Sequence, residues 1–152
     1  MNLITKLRVL VSVAAITFGS VTSASAEITS LRIQTHFTAE STSGQMVANF
    51  IENVSTMSNG EIKIKIFYGS TITNTAETFD AAIAGILDCD MTDASYQVGR
   101  DPAFQFASDL VGLYTNPQEQ MAWLLHSDGY SALNVLYNSY DMEFIGWWIP
   151  GP

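Results

Sequence analysis

The sequence predicts an α/β fold, a mostly parallel sheet with helices on both faces. Three observations carry this. Strand-like and helix-like periodicities alternate in the order β-α-β-α-β over the first half of the exported chain, and the links between them are short. The apolar content, 47% of 152 residues with a single cysteine, suits a packed core that no intramolecular disulfide supports. Parallel strands joined by helices need right-handed crossovers, which cover the sheet on both sides.

Leu31, Ile33 and Thr35 alternate with Arg32 and Gln34, a first strand ending near His36. Ser41 or Thr42 caps the helix that follows. Its Met46, Val47, Phe50, Ile51, Val54 and Met57 recur at spacings of three and four, one apolar face, and Asn59-Gly60 stops it. Glu61 to Phe67 alternates strictly between polar and apolar residues. This predicts a strand near a sheet edge, with one face buried and Lys63 and Lys65 outward. Gly69 to Asn74 is a loop of small and hydroxyl residues. A second helix is expected from about Thr75 to Leu87, with Phe79, Ala82, Ile83 and Ile86 as its packed stripe. Cys89 to Ala94 reads as a third, buried strand, and Cys89 as a structural thiol.

Tyr96 to Thr115 has no clean period and reads as a loop with a helical turn after Pro102. Pro117 opens a helix at its favoured first position, with Met121, Leu124 and Leu125 inward. Ser127-Asp128-Gly129 breaks or kinks it. Ser131 to Tyr140 continues with Leu133, Leu136 and Tyr137 packed. Glu143 to Ile149 is expected to be a strand rich in aromatics, after which the chain reaches Pro150-Gly151-Pro152 with no closing element.

Residues 1–26 read as an export signal. Lys6 and Arg8 supply the positive start, Val9 to Phe18 is apolar but too short to span a bilayer, and Ala24-Ser25-Ala26 is a small-residue cleavage site. The mature protein is then expected free in the periplasm, without membrane insertion. Losing Lys6 and Arg8 leaves 15 acidic against 4 basic residues, a net charge of −11. So few cations argue against nucleic acid and against an anionic membrane surface as partners.

In an open parallel sheet, ligands bind beyond the carboxyl ends of the strands. Three loops meet that rule: His36-Phe37-Thr38, Gly69 to Asn74, and Ser95 to Arg100. The candidate ligand contacts are His36, Phe37, Glu77 and Tyr96. His36 alone is more often a capping or packing residue, and Glu77 is also read as a helix-dipole partner and Tyr96 as a core rim residue. Arg100 offers a guanidinium that Asp101 beside it can neutralise. GxSxG, HExxH, P-loop and GxGxxG signatures are absent, and His36 and His126 stand apart without metal-ligand spacing. No catalytic residue, metal site or cofactor is assigned, and the chain is not read as an enzyme.

Several segments, in order, carry a resemblance: Ser58 to Ile64 at the second strand, Glu77 to Gly85, Asp90 to Tyr96, Gly99 to Phe104, then Trp123 and Gly129. Together they resemble the DctP-type solute-binding proteins of TRAP (tripartite ATP-independent periplasmic) transporters, in the branch that binds 2-oxo and related organic acids. The resemblance implies a periplasmic-binding-protein-like lobe, residues 27–142, followed by a crossing strand, 143–152, toward a second lobe missing from this chain. It further implies a small organic acid as ligand and the integral-membrane subunits of a sodium-coupled transporter as partners. The family's carboxylate-binding arginine would lie beyond Pro152, so no residue here inherits that role. Tyr96 and His36 match ligand-side positions of the first lobe, whereas Tyr68-Gly69-Ser70-Thr71 departs from the family's loop. Two other readings stay open, a truncated secreted α/β enzyme and a non-binding fragment.

Cleavage is expected between Ala26 and Glu27. N-terminal sequencing of exported protein checks this, and a mature form that retains Val9 to Phe18 overturns it.

Overall fold

The computed structural model describes residues 28–108 and 113–147. The signal segment, Gly112, Trp148 and Ile149 lie outside them. Strand β1 (Thr29–Thr35) leads to helix α1 (Thr42–Met57), strand β2 (Ile62–Tyr68), helix α2 (Thr78–Ile83) and strand β3 (Cys89–Met91). Helices α3 (Pro117–His126) and α4 (Gly129–Asn138) follow. The expected β-α-β-α-β order is present, and all strand pairings are parallel, in the order β2-β1-β3.

β1 is central and its last three residues, Ile33, Gln34 and Thr35, are all buried. A strand with consecutive buried residues is covered on both faces. Right-handed crossovers outward to β2 and back past β1 to β3 put α1 and α2 on opposite sides. β2 is an edge strand among the described residues, as its outward Lys63 and Lys65 led one to expect. Its inward Ile62, Ile64 and Ile66 are half-buried rather than buried.

Ser41 caps α1, its hydroxyl accepting from the Gly44 amide at 3.0 Å. Beyond Met57 the chain passes through Asn59 and Gly60 at φ 50° and 79°, the left-handed exit the sequence signalled. The apolar face of α1 is narrower than its periodicity suggests. Val47 is buried with Gly44, whereas Met46, Phe50 and Met57 are exposed.

α2 is shorter than expected. A 3-10 turn at Thr75–Glu77 precedes it, and Gly85 at φ 71° ends it, with the Ile86 and Leu87 amides both bonded to the Ala81 carbonyl. The helical phase therefore does not run on to Ile86. The buried side is Thr78, Phe79, Ala81 and Leu87, and Ile83 and Ile86 are exposed. β3 is shorter too. Asp93 accepts from the Ser95 amide at 2.7 Å and starts a 3-10 turn, Ala94–Gln97, where a strand was expected to continue. Cys89 is half-buried rather than buried.

The core sits between α2 and the helical half. Phe79 meets Phe104 edge-on at 5.4 Å and Tyr137 at 5.9 Å, with Tyr140 alongside. A neighbouring cluster of Leu124, Leu133 and Phe144 shares Ala107 and Tyr137 with it. The expected turn after Pro102 is a 3-10 helix, Pro102–Ala107, and the break at Ser127–Gly129 separates α3 from α4. Gly129 is required there, because a Cβ would lie 2.8 Å from the Trp123 carbonyl oxygen. Leu124 is inward as expected, but Leu125 is 61% exposed. Residues 143–147 form no strand; the segment is held by buried Phe144, whose amide donates to Asn134 Oδ1 at 2.9 Å.

Gly44 occupies the tightest approach in α1, where a Cβ would stand 1.9 Å from the Thr38 carbonyl oxygen. Alanine ordinarily improves a helix interior by about 1 kcal/mol. Here Gly44→Ala should instead destabilise by about 1–3 kcal/mol through overpacking. Urea unfolding reads the sign directly, and a stabilised variant would show that the loop gives way freely.

Candidate functional site

Register assembles the site. Thr35 pairs with Tyr68 on one side and Met91 on the other, so the three strands end level. Their loops therefore leave from one edge, as expected of an α/β ligand site. The Gly69 amide donates to the Phe37 carbonyl at 3.0 Å and ties the first two loops together.

His36, Phe37 and Tyr96 converge at this edge. The His36 ring lies 3.9 Å from Phe37 and 6.0 Å from Tyr96, edge-on to the latter. Tyr96 is 44% exposed, while His36 and Phe37 are half-buried. Burial pushes the His36 imidazole below its ordinary value, and nearby Asp93 only partly opposes this. The shift favours the uncharged ring, and its buried Nδ1 has no hydrogen-bond partner among the described residues. Burial works against the Asp93 charge, but hydrogen bonds from Ser108 Oγ at 2.7 Å and from Ser95 outweigh it. They hold the carboxyl below the usual range.

Glu77 belongs to a different network. It is exposed, and its Oε2 accepts from Thr73 Oγ1 at 2.9 Å. Thr73 is in turn held by Gln34, a residue that pattern reading treated as the polar half of a strand alternation. Gln34 is fully buried. Its Oε1 accepts from the Ile72 and Thr73 amides at 2.9 and 3.2 Å, and its Nε2 donates to the Thr73 carbonyl and Thr78 Oγ1, each at 2.9 Å. A glutamine one position before the end of β1 was the available sequence signal, but nothing in it named the loop as partner.

The described arginines are engaged elsewhere. Arg32 Nε donates to Asp88 Oδ2 at 2.9 Å and Arg32 Nη2 to the Gly85 carbonyl. Arg100 pairs with Asp80, not with adjacent Asp101, and lies over the Phe79 and Tyr140 rings at 5.5 and 5.6 Å. Asp101 instead caps the 3-10 helix through the Ala103 amide. Among the described residues both arginines are thus committed to internal partners. No group of three His, Cys, Asp or Glu side chains among those residues is placed to hold a metal ion.

The model of the bacterial extracellular solute-binding protein family 7, DctP, matches residues 33–151. The chain belongs to this family. Among relatives of this family 7 chain, a monocarboxylate 2-oxoacid-binding periplasmic protein of a Nostoc species is 32% identical over 91 residues. That match covers 60% of this chain and 25% of the relative. A TRAP periplasmic solute-binding protein from Rhodobacter sphaeroides, in an apo open structure, superposes with a TM-score of 0.73. It is 33% identical, over 77% of this chain and 37% of that one. A Pseudoalteromonas atlantica TRAP solute-binding protein, solved with sodium and pyruvate, shares the fold. Its TM-score is 0.69 at 21% identity, over 75% of this chain and 35% of that one. The chain thus spans a quarter to under two fifths of the length of these relatives.

Asp90 pairs with Gln34 across β1 and β3. Burial raises its carboxyl to about 6, against hydrogen bonds from Thr92. The folded state binds this proton more tightly than the unfolded chain, whose carboxyl has the ordinary value of 3.8. Asp90 is therefore neutral in stability terms below about pH 4, costs progressively more as pH rises to about 6, and then costs a constant amount. Asn keeps an acceptor for Thr92, so Asp90→Asn should stabilise at pH 7 by about 2–3 kcal/mol and by nothing near pH 3. Denaturant titrations at several pH values check this, and an Asn variant no more stable at pH 7 would overturn it.

Proposed function

We propose that this chain is the first lobe of a periplasmic receptor that captures a small organic acid of the 2-oxo acid class. The receptor hands its ligand to the membrane subunits of a TRAP-type transporter and performs no chemistry on it. Residues 1–26 direct export, 27–142 form the lobe, and 143–152 lead toward a second lobe that completes the cleft. The observation that carries the reading is the convergence of His36, Phe37 and Tyr96 at the carboxyl edge of the sheet, in a chain of solute-binding family 7.

The chemistry of that edge sets what this lobe contributes. A neutral imidazole and a phenol offer hydrogen bonds and aromatic faces but no net positive charge. With Arg32 and Arg100 already paired, the ligand carboxylate draws its counter-charge from the second lobe. Lobe one then supplies shape and orientation: Tyr96 and Phe37 wall the ligand, His36 meets a polar atom of it, and Glu77 accepts from a hydroxyl or hydrated group. Two walls closing on the acid bury it and create a new surface for the membrane partner.

In protein expressed from the complete reading frame, Tyr96→Ala should weaken binding by about 1–3 kcal/mol, through lost packing and a lost hydrogen bond. Titration calorimetry with pyruvate and longer 2-oxo acids reads this. Unchanged affinity with an intact circular dichroism spectrum would return Tyr96 to the core rim.

A further inference from the structure

We propose that Gln34 is the positioning residue of this site: its buried side-chain amide holds the Gly69–Asn74 loop, and through Thr73 it aims Glu77 toward the cleft. The inference rests on the binding reading above and adds a residue that makes no ligand contact of its own.

The geometry is that of a peptide bond made by a side chain. Gln34 Oε1 receives the Thr73 amide, and Gln34 Nε2 donates to the Thr73 carbonyl, so one loop residue is gripped through both of its backbone groups. The Ile72 amide shares the same oxygen, and the second N–H goes to Thr78 Oγ1, in the first turn of α2. Two donors and two lone pairs are the whole capacity of a primary amide. Gln34 uses all of it, at a fully buried position in the central strand. From Thr73 the path continues outward, because the Thr73 hydroxyl donates to Glu77 Oε2 at 2.9 Å. The other end of the loop is fixed by the Gly69 amide on the Phe37 carbonyl. The loop therefore has two fixed points, one of them on the segment that carries His36 and Phe37.

The chemistry admits few substitutes. Glutamate matches the volume and keeps an acceptor, but places a second oxygen against the Thr73 carbonyl. Asparagine is one methylene short of the loop. Methionine fills the space and leaves the Ile72 and Thr73 amides and the Thr73 carbonyl unmatched in a buried site, a costly arrangement.

The test uses protein from the complete reading frame and has two arms. In the ligand-free arm, amide exchange at Ile72 and Thr73 should quicken by about tenfold or more in Gln34→Met, the weight of one to two lost hydrogen bonds. Ile33 and Ile64 amides in the sheet should keep their wild-type protection. Gln34→Asn, whose amide stops one methylene short of the loop, serves the same purpose if the Met variant does not fold. In the binding arm, titrated with pyruvate and longer 2-oxo acids, Gln34→Met and Glu77→Gln should each weaken binding. The double variant should be no weaker than Gln34→Met alone, because an unanchored loop no longer presents Glu77. A purely structural Gln34 would instead give losses that multiply, and that result, or unchanged exchange at Ile72 and Thr73, overturns the proposal. Wild-type protein that ignores every acid, together with fast exchange in the Met variant, overturns the binding reading while upholding the anchoring.

Discussion

A primary amide buried without partners costs several kcal/mol, so a glutamine in the middle of a sheet constrains everything around it. Gln34 sits in β1 between β2 and β3, fully buried, and its bonds run to the loop after β2 and to the first turn of α2. Those bonds require the loop to fold back over the sheet at Ile72 and Thr73, and require α2 to begin at Thr78. The start of α2 in turn sets Phe79 into the aromatic cluster with Phe104 and Tyr137. The hydrophobic effect drives that cluster together without regard to direction. The amide supplies the direction, because hydrogen bonds fail with small changes of angle and distance.

The parallel architecture was legible because it depends on periodicity, and periodicity survives in a single sequence. Ile62, Ile64 and Ile66 against Lys63 and Lys65 mark a strand whatever surrounds them. The caps were legible for a similar reason: Ser41, Pro117 and the Asn59-Gly60 exit act on their own backbone. Where the reading went wrong, a local interaction interrupted the period. Gly85 ended α2 before Ile86, and Asp93 captured the Ser95 amide and turned β3 aside after Met91. Periodicity also overstates burial when a helix has more apolar surface than the sheet beneath it covers, as Met46, Phe50 and Met57 show on α1.

The candidate edge was legible in outline and illegible in its wiring. The rule that ligands gather at the carboxyl edge of a parallel sheet pointed to the loops that carry His36, Phe37 and Tyr96, and those three rings lie within 3.9 to 6.0 Å of one another along the pairs His36–Phe37 and His36–Tyr96. Pairing across long sequence distances could not be read. Arg100 has Asp101 beside it in sequence, yet it reaches Asp80, twenty positions away, because the 3-10 turn at Pro102 uses Asp101 as its cap. Gln34 lies 38 and 39 positions from the loop residues it holds. Such partners depend on the fold as a whole, so they emerge only when the sheet is assembled.

The commitment of both described arginines bears on how a chain of net charge −9 can belong to a family of solute receptors whose relatives include an organic acid binder. An acidic surface repels an anion at a distance, but the repulsion is screened within about 8–10 Å at physiological salt. Close to the sheet edge the field is set by fixed groups. Burial favours the uncharged His36 ring there, and the Asp93 charge beside it is held by Ser108 and Ser95. A sheet edge of this kind gains from loops that are rigid beforehand, since ordering a loop at the moment of binding subtracts from affinity. The hydrogen bonds that fix Thr73 and Gly69 meet that need in advance. With Arg32 and Arg100 paired internally, what this edge presents is hydrogen-bonding groups and aromatic faces rather than free guanidinium charge.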